Sequence, residues 1–96
     1  MAIKTLIRRK VSQAIEDPQL VSLLRQLRTH ALSQPGFVSG ETLRRVDRPG
    51  ELIVMGTWKS LEAWNNWKTS PKRAEIQKQI DALLKEPTEF EVYEYL

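Results

Sequence analysis

All three tryptophans of the chain lie within ten residues, at Trp58, Trp64 and Trp67. Indole rings are large, flat and mostly apolar, so three of them together can wall a pocket for an aromatic molecule as well as fill a core. Core packing is the commoner role for each ring taken alone. The spacing therefore leaves two hypotheses open, a packed core and a pocket for a small apolar or aromatic ligand.

Few side chains could support metal or nucleotide chemistry. The sequence has no cysteine and a single histidine, His30, whereas zinc and non-haem iron sites usually take two or more imidazole or thiolate ligands. The four glycines form neither a phosphate loop nor a dinucleotide fingerprint. We therefore expect no metal and no cofactor.

Two polar residues are candidates for catalysis. His30 lies at the margin of the apolar stripe of a helix predicted over 18–33, and Gln77 lies at the edge of the apolar face of a helix predicted over 71–86. The ordinary pKa of histidine suits a general base, and an amide at position 77 could reach into a cavity. A structural role for each residue is the competing hypothesis.

The elements that must position these residues follow from periodicity and capping. Alternation places Ile3, Thr5, Ile7 and Val11 on one face of a first strand. The predicted elements are a strand over 3–11, a helix over 18–33, a hairpin of strands 37–46 and 51–58, helices over 61–69 and 71–86, and a strand over 89–96. This is a single α+β domain over 1–96, a ferredoxin-like β-α-β-β-α-β antiparallel sheet with helices on one face.

Helix starts are the clearest local signals in the sequence. Asp17, Ser60 and Ser70 can each accept a hydrogen bond from the first turn of a helix, and proline follows two of them. In the short helix after Ser60, the side that carries Leu61, Ala63 and both helical tryptophans is predicted to face the sheet. Trp58 has the same strand parity as Val54, so its ring is expected nearby.

The opposite face of the sheet would be open to water in a monomer. A chain of 96 residues buries only about 60–70% of the surface that it exposes when unfolded. A second copy that covers this face would add apolar burial, so we expect a homodimer.

Three motifs, "PGF" before the hairpin, "WKSLEAWNNW" and "SPKRAEI", resemble those of the antibiotic biosynthesis monooxygenase (ABM) domain family. The resemblance runs from about residue 3 to residue 95. It implies a dimeric α+β barrel in which each subunit keeps its own cavity between sheet and helices. Members include cofactor-independent oxygenases of polycyclic aromatic substrates, haem-degrading enzymes, and proteins that handle aldehydes or quinols.

The resemblance also implies roles for individual residues. Trp58 matches a strand-end tryptophan associated with substrate in the aromatic oxygenases, and Trp67 matches a cavity tryptophan of the haem-degrading branch. Gln77 replaces the iron-binding histidine of that branch and an arginine of the oxygenases, and Val54 stands where the oxygenases have an asparagine. The expected substrate-binding residues are Trp58, Trp64, Trp67 and Val54, and the expected catalytic residues are His30 and Gln77.

The leading hypothesis is a cofactor-independent monooxygenase acting on a small aromatic or quinol-type substrate. The alternative is a non-catalytic dimer that binds a small apolar ligand or serves as a stress-related accessory protein, with haem binding disfavoured by Gln77. The basic residues, among them Arg9 and Arg73, are spread over several elements, which favours a solvated surface over nucleic-acid binding. No apolar run approaches the length of a membrane span, so the cytoplasm is expected.

Overall fold

Four strands and three helices follow one another in the predicted order. The computed structural model describes residues 1–12, 16–84 and 86–96. The elements are β1 (Ile3–Lys10), α1 (Pro18–Leu32), β2 (Phe37–Arg44), β3 (Glu51–Trp58), α2 (Leu61–Lys68), α3 (Pro71–Leu83) and β4 (Glu89–Glu94). Among the described residues, no helix is both long enough and apolar enough to cross a bilayer.

The sheet has the strand order β2-β3-β1-β4, and every neighbouring pair is antiparallel. The ferredoxin-like prediction is therefore confirmed. β1 lies inside the sheet and alternates strictly, with Ile3, Thr5, Ile7 and also Arg9 buried on the helix side. The residue in register with Ile3 on β3 is Trp58, which brings the strand-end indole onto the same face.

All three helices begin where the capping residues predicted. Each cap side chain accepts a hydrogen bond from a backbone N–H of the first turn, which satisfies one of the donors that a helix start leaves free. The bonds run from Gln19 N to Asp17 Oδ1 (2.8 Å), from Ala63 N to Ser60 Oγ (3.1 Å) and from Arg73 N to Ser70 Oγ (3.2 Å).

Element ends were predicted less well than starts. α3 ends at Leu83, not near Glu86, because Leu84 is already extended and turns its buried side chain into the core. Lys85 lies outside the described residues. The buried face of α2 also includes fewer residues than expected. Leu61 is 51% exposed, whereas both tryptophans of the helix are buried. β1, α1, β2, α2 and β4 end one or two residues earlier than predicted.

Two hydrophobic clusters lie between the sheet and the helices. The aliphatic core consists of Val11, Leu20, Leu23, Leu52, Ile76, Ile80 and Leu84. The aromatic cluster consists of Ile3, Ile7, Trp58, Trp64 and Trp67. α1 supplies Leu27 to both of them, so the two clusters form adjoining halves of one layer.

Gly36 holds the start of β2 against α2. Its φ of +86° lies in the left-handed region that favours glycine. A Cβ at this position would come within 2.6 Å of Ala63 Cβ, and its carbonyl accepts a 2.8 Å hydrogen bond from Lys59 N. The close contact fixes α2, and with it both helical tryptophans, relative to the sheet.

The other face of the sheet carries a mixture of apolar and charged side chains. Leu6 and Met55 oppose each other across β1 and β3 and are half-buried. On the same face Arg8 Nε lies 2.6 Å from Glu91 Oε1, and the Tyr93 hydroxyl donates a hydrogen bond to that carboxylate. The homodimer predicted to cover this face stays a prediction.

Candidate functional site

The three tryptophans converge on the helix side of the sheet. Trp58 comes from the end of β3 and Trp64 and Trp67 from α2, and all three are buried. The ring centroids of Trp58 and Trp64 lie 5.8 Å apart, and the Phe37 ring meets Trp58 edge-on at 5.1 Å. These spacings are typical of favourable aromatic contacts, so Phe37, Trp58 and Trp64 form one continuous wall, and Trp67 belongs to the same cluster.

A partly open cavity of about 80 Å³ lies against this wall. Trp58, Trp64, Trp67 and Val54 all line it. The structure therefore brings together the four residues that were expected to contact substrate. The two hypotheses for the tryptophans are compatible, because the rings pack in the core and also present a surface to the cavity.

Two glycines leave one part of the sheet side of the cavity without side chains. Gly40 on β2 and Gly56 on β3 oppose each other in register, and both line the cavity. A Cβ at Gly56 would lie 3.0 Å from Thr5 Oγ1 and 3.3 Å from Trp58 Nε1. The irregularity in the pairing of β2 with β3 falls between Phe37 and Ser39, outside this pair of glycines.

Two buried arginines also line the cavity, which corrects the expectation of a solvated basic surface for these two residues. Arg9 is 1% exposed and Arg73 is 4% exposed. Arg9 belongs to the buried face of β1, and Arg73 belongs to the buried face of α3 one turn before Ile76. Arginine is almost never buried this completely without a partner.

Arg9 has one hydrogen-bond partner among the described residues. Its Nη2 donates to Gln77 Oε1 at 2.9 Å, while Nε and Nη1 are buried and unpaired within that part of the chain. The Gln77 amide group in turn donates to Asp81 Oδ1 at 2.7 Å and to Thr88 Oγ1 at 3.2 Å. Both ends of the Gln77 amide are therefore engaged, and it holds the Arg9 guanidinium in place.

Arg73 rests on aromatic rings. Its Cζ lies 5.7 Å from the centroid of Trp64 and 5.1 Å from that of Phe90, distances at which a ring face attracts a cation. Its Nη2 is buried and has no hydrogen-bond partner in the described ranges. The two rings offset part of the cost of burying the charge and leave donors of Arg73 without an acceptor.

The charges of the two arginines oppose their burial. Desolvation, and then the nearby charge of Arg73, lowers the pKa of Arg9 to about 10. Desolvation also lowers the pKa of Arg73, against an opposing effect of Asp81. Both groups stay cationic at neutral pH, and the shift at Arg9 corresponds to roughly 3 kcal/mol of unfavourable free energy. The cavity is therefore apolar in its walls and positive in its electrostatic potential.

The two expected catalytic residues lie outside the cavity lining. Gln77 reaches the cavity only through Arg9. His30 is half-buried on α1, next to the lining residue Ala31, and its carbonyl accepts hydrogen bonds from Ser33 Oγ and Gln34 Nε2. No carboxylate or imidazole occurs among the described residues that line the cavity. The roles of Gln77 and His30 stay predictions.

The mouth of the cavity is spanned by an exposed arginine. Arg28 on α1 lines the cavity, and its Nη1 donates to the carbonyl of Gly40 on β2 at 3.4 Å. Its long side chain links the helix to the strand and can move without disturbing the core. For residues 1–12, 16–84 and 86–96, no cluster of His, Asp and Glu side chains could hold a metal ion.

Comparison with known proteins agrees with this architecture. A sequence profile of the family described as antibiotic biosynthesis monooxygenase matches residues 10–79. None of the curated proteins with which the sequence was compared matches it.

Several solved structures share the fold over nearly the whole chain. Rv0793 from Mycobacterium tuberculosis has 22% identity and a TM-score of 0.86, with 100% of this chain and 96% of that chain covered. A mutant of SnoaB, a cofactor-independent oxygenase from Streptomyces nogalater, has 19% identity and a TM-score of 0.85, with 98% and 92% covered. A conserved protein from Methanosarcina mazei has 19% identity and a TM-score of 0.86, with 97% and 91% covered.

Proposed function

Because this chain belongs to the antibiotic biosynthesis monooxygenase family, we propose that it oxidises a small aromatic or quinol-type molecule with dioxygen and without a cofactor. The observation that carries the proposal is the convergence of Trp58, Trp64 and Trp67 on one open-mouthed apolar cavity. Flat indole walls orient an aromatic ring by stacking and exclude water from it. The likeness in fold to the oxygenase SnoaB is consistent with this activity.

The size of the cavity favours a single-ring substrate. A dry apolar cavity of roughly 150 Å³ is known to accommodate benzene, and the cavity here is about 80 Å³. Binding of one ring therefore requires the cavity to enlarge. Displacement of the exposed Arg28 side chain from the Gly40 carbonyl permits this enlargement at the mouth. A polycyclic substrate would require the packed rings themselves to separate, at a much larger cost.

The reaction needs no external reductant. A hydroquinone that loses a proton can pass one electron to dioxygen, and the resulting radical pair combines to form a carbon–oxygen bond. Breakage of the oxygen–oxygen bond then leaves one oxygen atom on the ring and releases the other as water. The net change, hydroquinone plus dioxygen to hydroxyquinone plus water, takes all four electrons from the substrate. The protein contributes binding, orientation and electrostatics.

Oxygen uptake tests the proposal directly. Air-saturated protein is mixed with a panel of hydroquinones, catechols and anthrones, and dioxygen consumption and hydroxylated product are measured together. We expect uptake above the buffer rate for at least one single-ring compound and at least a tenfold loss in Trp58→Leu. Leu61→Ala, which changes an exposed residue of α2, is the matched control and retains the rate. Uptake at the buffer rate across the panel would contradict the proposal.

The same assay tests the predicted base. His30 lies outside the cavity lining, and its neighbours Leu27 and Ala31 on α1 line it, so a base role requires an intervening water molecule. If His30 acts this way, His30→Ala lowers kcat and removes the lower limb of the pH–rate profile. An unchanged profile would indicate that the substrate proton passes to bulk water and not to His30.

A non-catalytic binding protein is the second candidate. The observation that favours it is the absence of a carboxylate or imidazole from the described cavity lining, because acid–base catalysis usually needs such a group. A ligand that binds anaerobically and is recovered unchanged after exposure to air would support this candidate. Haem is disfavoured, since the Gln77 amide is already bonded to Arg9, Asp81 and Thr88. Addition of hemin is expected to give no Soret shift.

We also propose that two copies associate through the uncovered face of the sheet. That face presents Leu6, Ile53 and Met55 at its centre and the exposed side chains of Leu43 and Tyr93 towards its edges. Burial of this mixed surface against a second copy would remove apolar area from water. Sedimentation at tens of micromolar is expected to show a dimer, and Met55→Asp is expected to give monomers. A monomeric parent protein would contradict this proposal.

A further inference from the structure

Two buried cationic side chains line an apolar cavity that contains no anionic side chain among its described residues. Arg9 and Arg73 are both at least nine-tenths buried, and three of their guanidinium nitrogens lack a partner in the described part of the chain. Buried charges in proteins are normally paired. An arrangement that lowers stability in this way is expected to persist where it serves binding or catalysis.

The nearest acidic group does not neutralise the pair. Asp81 is exposed, and it connects to Arg9 only through the Gln77 amide. It raises the pKa of both arginines, but less than desolvation lowers them. The uncompensated positive charge therefore remains on the cavity side of Gln77.

We propose that the cavity binds an aromatic molecule in its oxyanion form, with the negatively charged oxygen accepting hydrogen bonds from Arg9 and facing Arg73. The inference rests on the proposed function to the extent that both place the ligand in the same cavity, and it adds the charge and orientation of the substrate. The ring lies against the indole walls, and the oxygen lies at the arginine side.

The chemistry of the lining selects this class of ligand. Guanidinium N–H groups form their strongest hydrogen bonds with anionic oxygen, and the low dielectric of the cavity strengthens them. An inorganic anion would leave the indole walls without contact, and a neutral aromatic would accept weaker hydrogen bonds from the guanidinium groups and leave their charge uncompensated. An aromatic phenolate or carboxylate satisfies both surfaces.

The same arrangement explains how a phenolic substrate ionises without a base in the cavity. Opposite charge within a few ångströms lowers the pKa of a phenol. The O–H bond breaks, the proton passes to bulk water, and the electron pair stays on the oxygen beside the arginines. The anion so formed is the species that donates an electron to dioxygen.

Gln77 acts in this site as a positioning residue. Its amide oxygen accepts from Arg9 Nη2, while its amide nitrogen donates to Asp81 and Thr88. The amide thus occupies one nitrogen of Arg9 and leaves Nε and Nη1 for the ligand. A glutamate at position 77 would instead neutralise Arg9 and compete with an anionic ligand.

Binding of 4-nitrophenol under nitrogen tests the inference, because its visible absorption distinguishes phenol from phenolate. We expect the bound compound to ionise at least one pH unit lower than the free compound, which equals a tenfold preference for the anion. The neutral analogue 4-nitroanisole is expected to bind at least tenfold more weakly at pH 8. Competition by benzoate but not benzamide would show that carboxylates are accepted as well; competition by neither would restrict the site to phenolates.

Variants separate the site from general effects of charge. Arg9→Met is expected to abolish the shift in ionisation, Arg9→Lys to restore part of it, and Gln77→Glu to reduce anion binding while 4-nitroanisole binding is unchanged. Arg25→Met removes an exposed arginine of α1 that lies outside the cavity lining and is expected to behave as the parent. Circular dichroism verifies that each variant is folded.

The outcomes also distinguish this inference from the proposed oxygenase activity. Bound 4-nitrophenol that ionises as in free solution, or a shift that survives in Arg9→Met, would overturn the anion site. A normal shift together with no oxygen uptake on any substrate would leave the anion site standing and overturn the oxygenase. Oxygen uptake on a hydroquinone together with an unshifted ionisation of bound 4-nitrophenol would overturn the anion site and leave the oxygenase standing.

Discussion

Both halves of the layer between sheet and helices draw on α1 and β3, and they differ in how completely their side chains fill the space. The aliphatic core is closed by Leu20, Ile80 and their neighbours. The aromatic cluster contains larger rings, yet it borders a cavity and two buried guanidiniums. Bulky side chains alone therefore do not give tight packing, because flat rings fixed by a strand end and a short helix leave gaps that branched aliphatic residues fill.

The aliphatic core and the cavity half differ in what they contribute to the stability of the protein. The aliphatic core consists of buried apolar side chains and includes no buried charge that needs compensation. The cavity half gives up stability through the charge of Arg9 and through the two glycines that face each other across β2 and β3. Leu20 and Ile80 of the aliphatic core can therefore be changed without altering the cavity lining, whereas changes at Arg9 or Gly56 are expected to affect both stability and binding.

The largest expected effect is on the aliphatic side. Leu20→Ala removes a side chain with 0% exposure and is expected to lower the free energy of unfolding by about 2–5 kcal/mol, because a cavity replaces buried methyl groups. Chemical denaturation measures the change. Val21→Ala, at the neighbouring exposed position, is the control and changes stability by less than about 0.5 kcal/mol. A loss at Leu20 no larger than at Val21 would erase the distinction between the two halves.

Arg9→Met is expected to act in the opposite direction. An apolar side chain of similar length removes an unpaired buried charge, so we expect the free energy of unfolding to rise by roughly 1–3 kcal/mol while anion binding is lost. The folded protein holds the Arg9 proton less tightly than the unfolded chain does. The destabilisation is therefore fully present below about pH 10 and declines as the pH rises above it.

The measurement for Arg9→Met is denaturant unfolding at pH 6 and pH 9, where the gain over the parent protein should be the same. Arg25→Met serves again as the charge-matched control. A variant that is less stable than the parent at both pH values would indicate that Arg9 is compensated in the folded protein and has a structural role.

A methyl group on the sheet side of the cavity gives a smaller effect. Gly56→Ala places a Cβ 3.0 Å from Thr5 Oγ1 and 3.3 Å from Trp58 Nε1, so these side chains must shift. We expect a loss of about 1 kcal/mol in stability and weaker ligand binding, measured by denaturation and by titration of 4-nitrophenol. Ser39→Ala, on an exposed position of β2, is the control. Unchanged ligand affinity in Gly56→Ala would show that the ligand does not approach the sheet there.

The smallest effect compares neighbouring arginines on opposite faces of β1. Arg8 is exposed and paired with Glu91, whereas Arg9 is buried. Hydrogen bonds from Tyr93 and then from Arg8 hold the pKa of Glu91 below its ordinary value. Glu91 therefore contributes to stability above its unfolded pKa, and this contribution is lost as the pH falls through its lower folded pKa.

Carboxyl chemical shifts followed through an acid titration measure the pKa of Glu91. Arg8→Met should raise it part of the way to the ordinary value, while the control Arg25→Met should leave it unchanged. An ordinary pKa for Glu91 in the parent protein would mean that the surface pair does not persist in solution.

The fold can be predicted from the sequence because helix caps and strand alternation are local signals. Asp17, Ser60 and Ser70 each directly precede a helical segment and cap it. Alternation of apolar residues in β1 predicts its buried face. The end of α3 cannot be predicted from the sequence, because Leu84 leaves the helix to pack in a core that only the tertiary structure defines.

Only part of the candidate site can be predicted from the sequence. The size and spacing of the tryptophans identify them, but the spread of the basic residues over several elements predicts that Arg9 and Arg73 are solvated. Their positions carried the opposite signal, since Arg9 shares the parity of Ile7 and Arg73 precedes Ile76 by one turn. Whether a charge at such a position is buried depends on the space around it, and the volume of a cavity is not encoded in any single segment.

A crystal structure of the protein grown with 4-nitrophenolate would test the anion site most directly. The expected result is a ring in contact with Trp58 and Trp67 and an oxygen within hydrogen-bonding distance of Arg9 Nε or Nη1. A ligand bound with that oxygen turned towards the mouth at Arg28, or seated on the other face of the sheet, would contradict it.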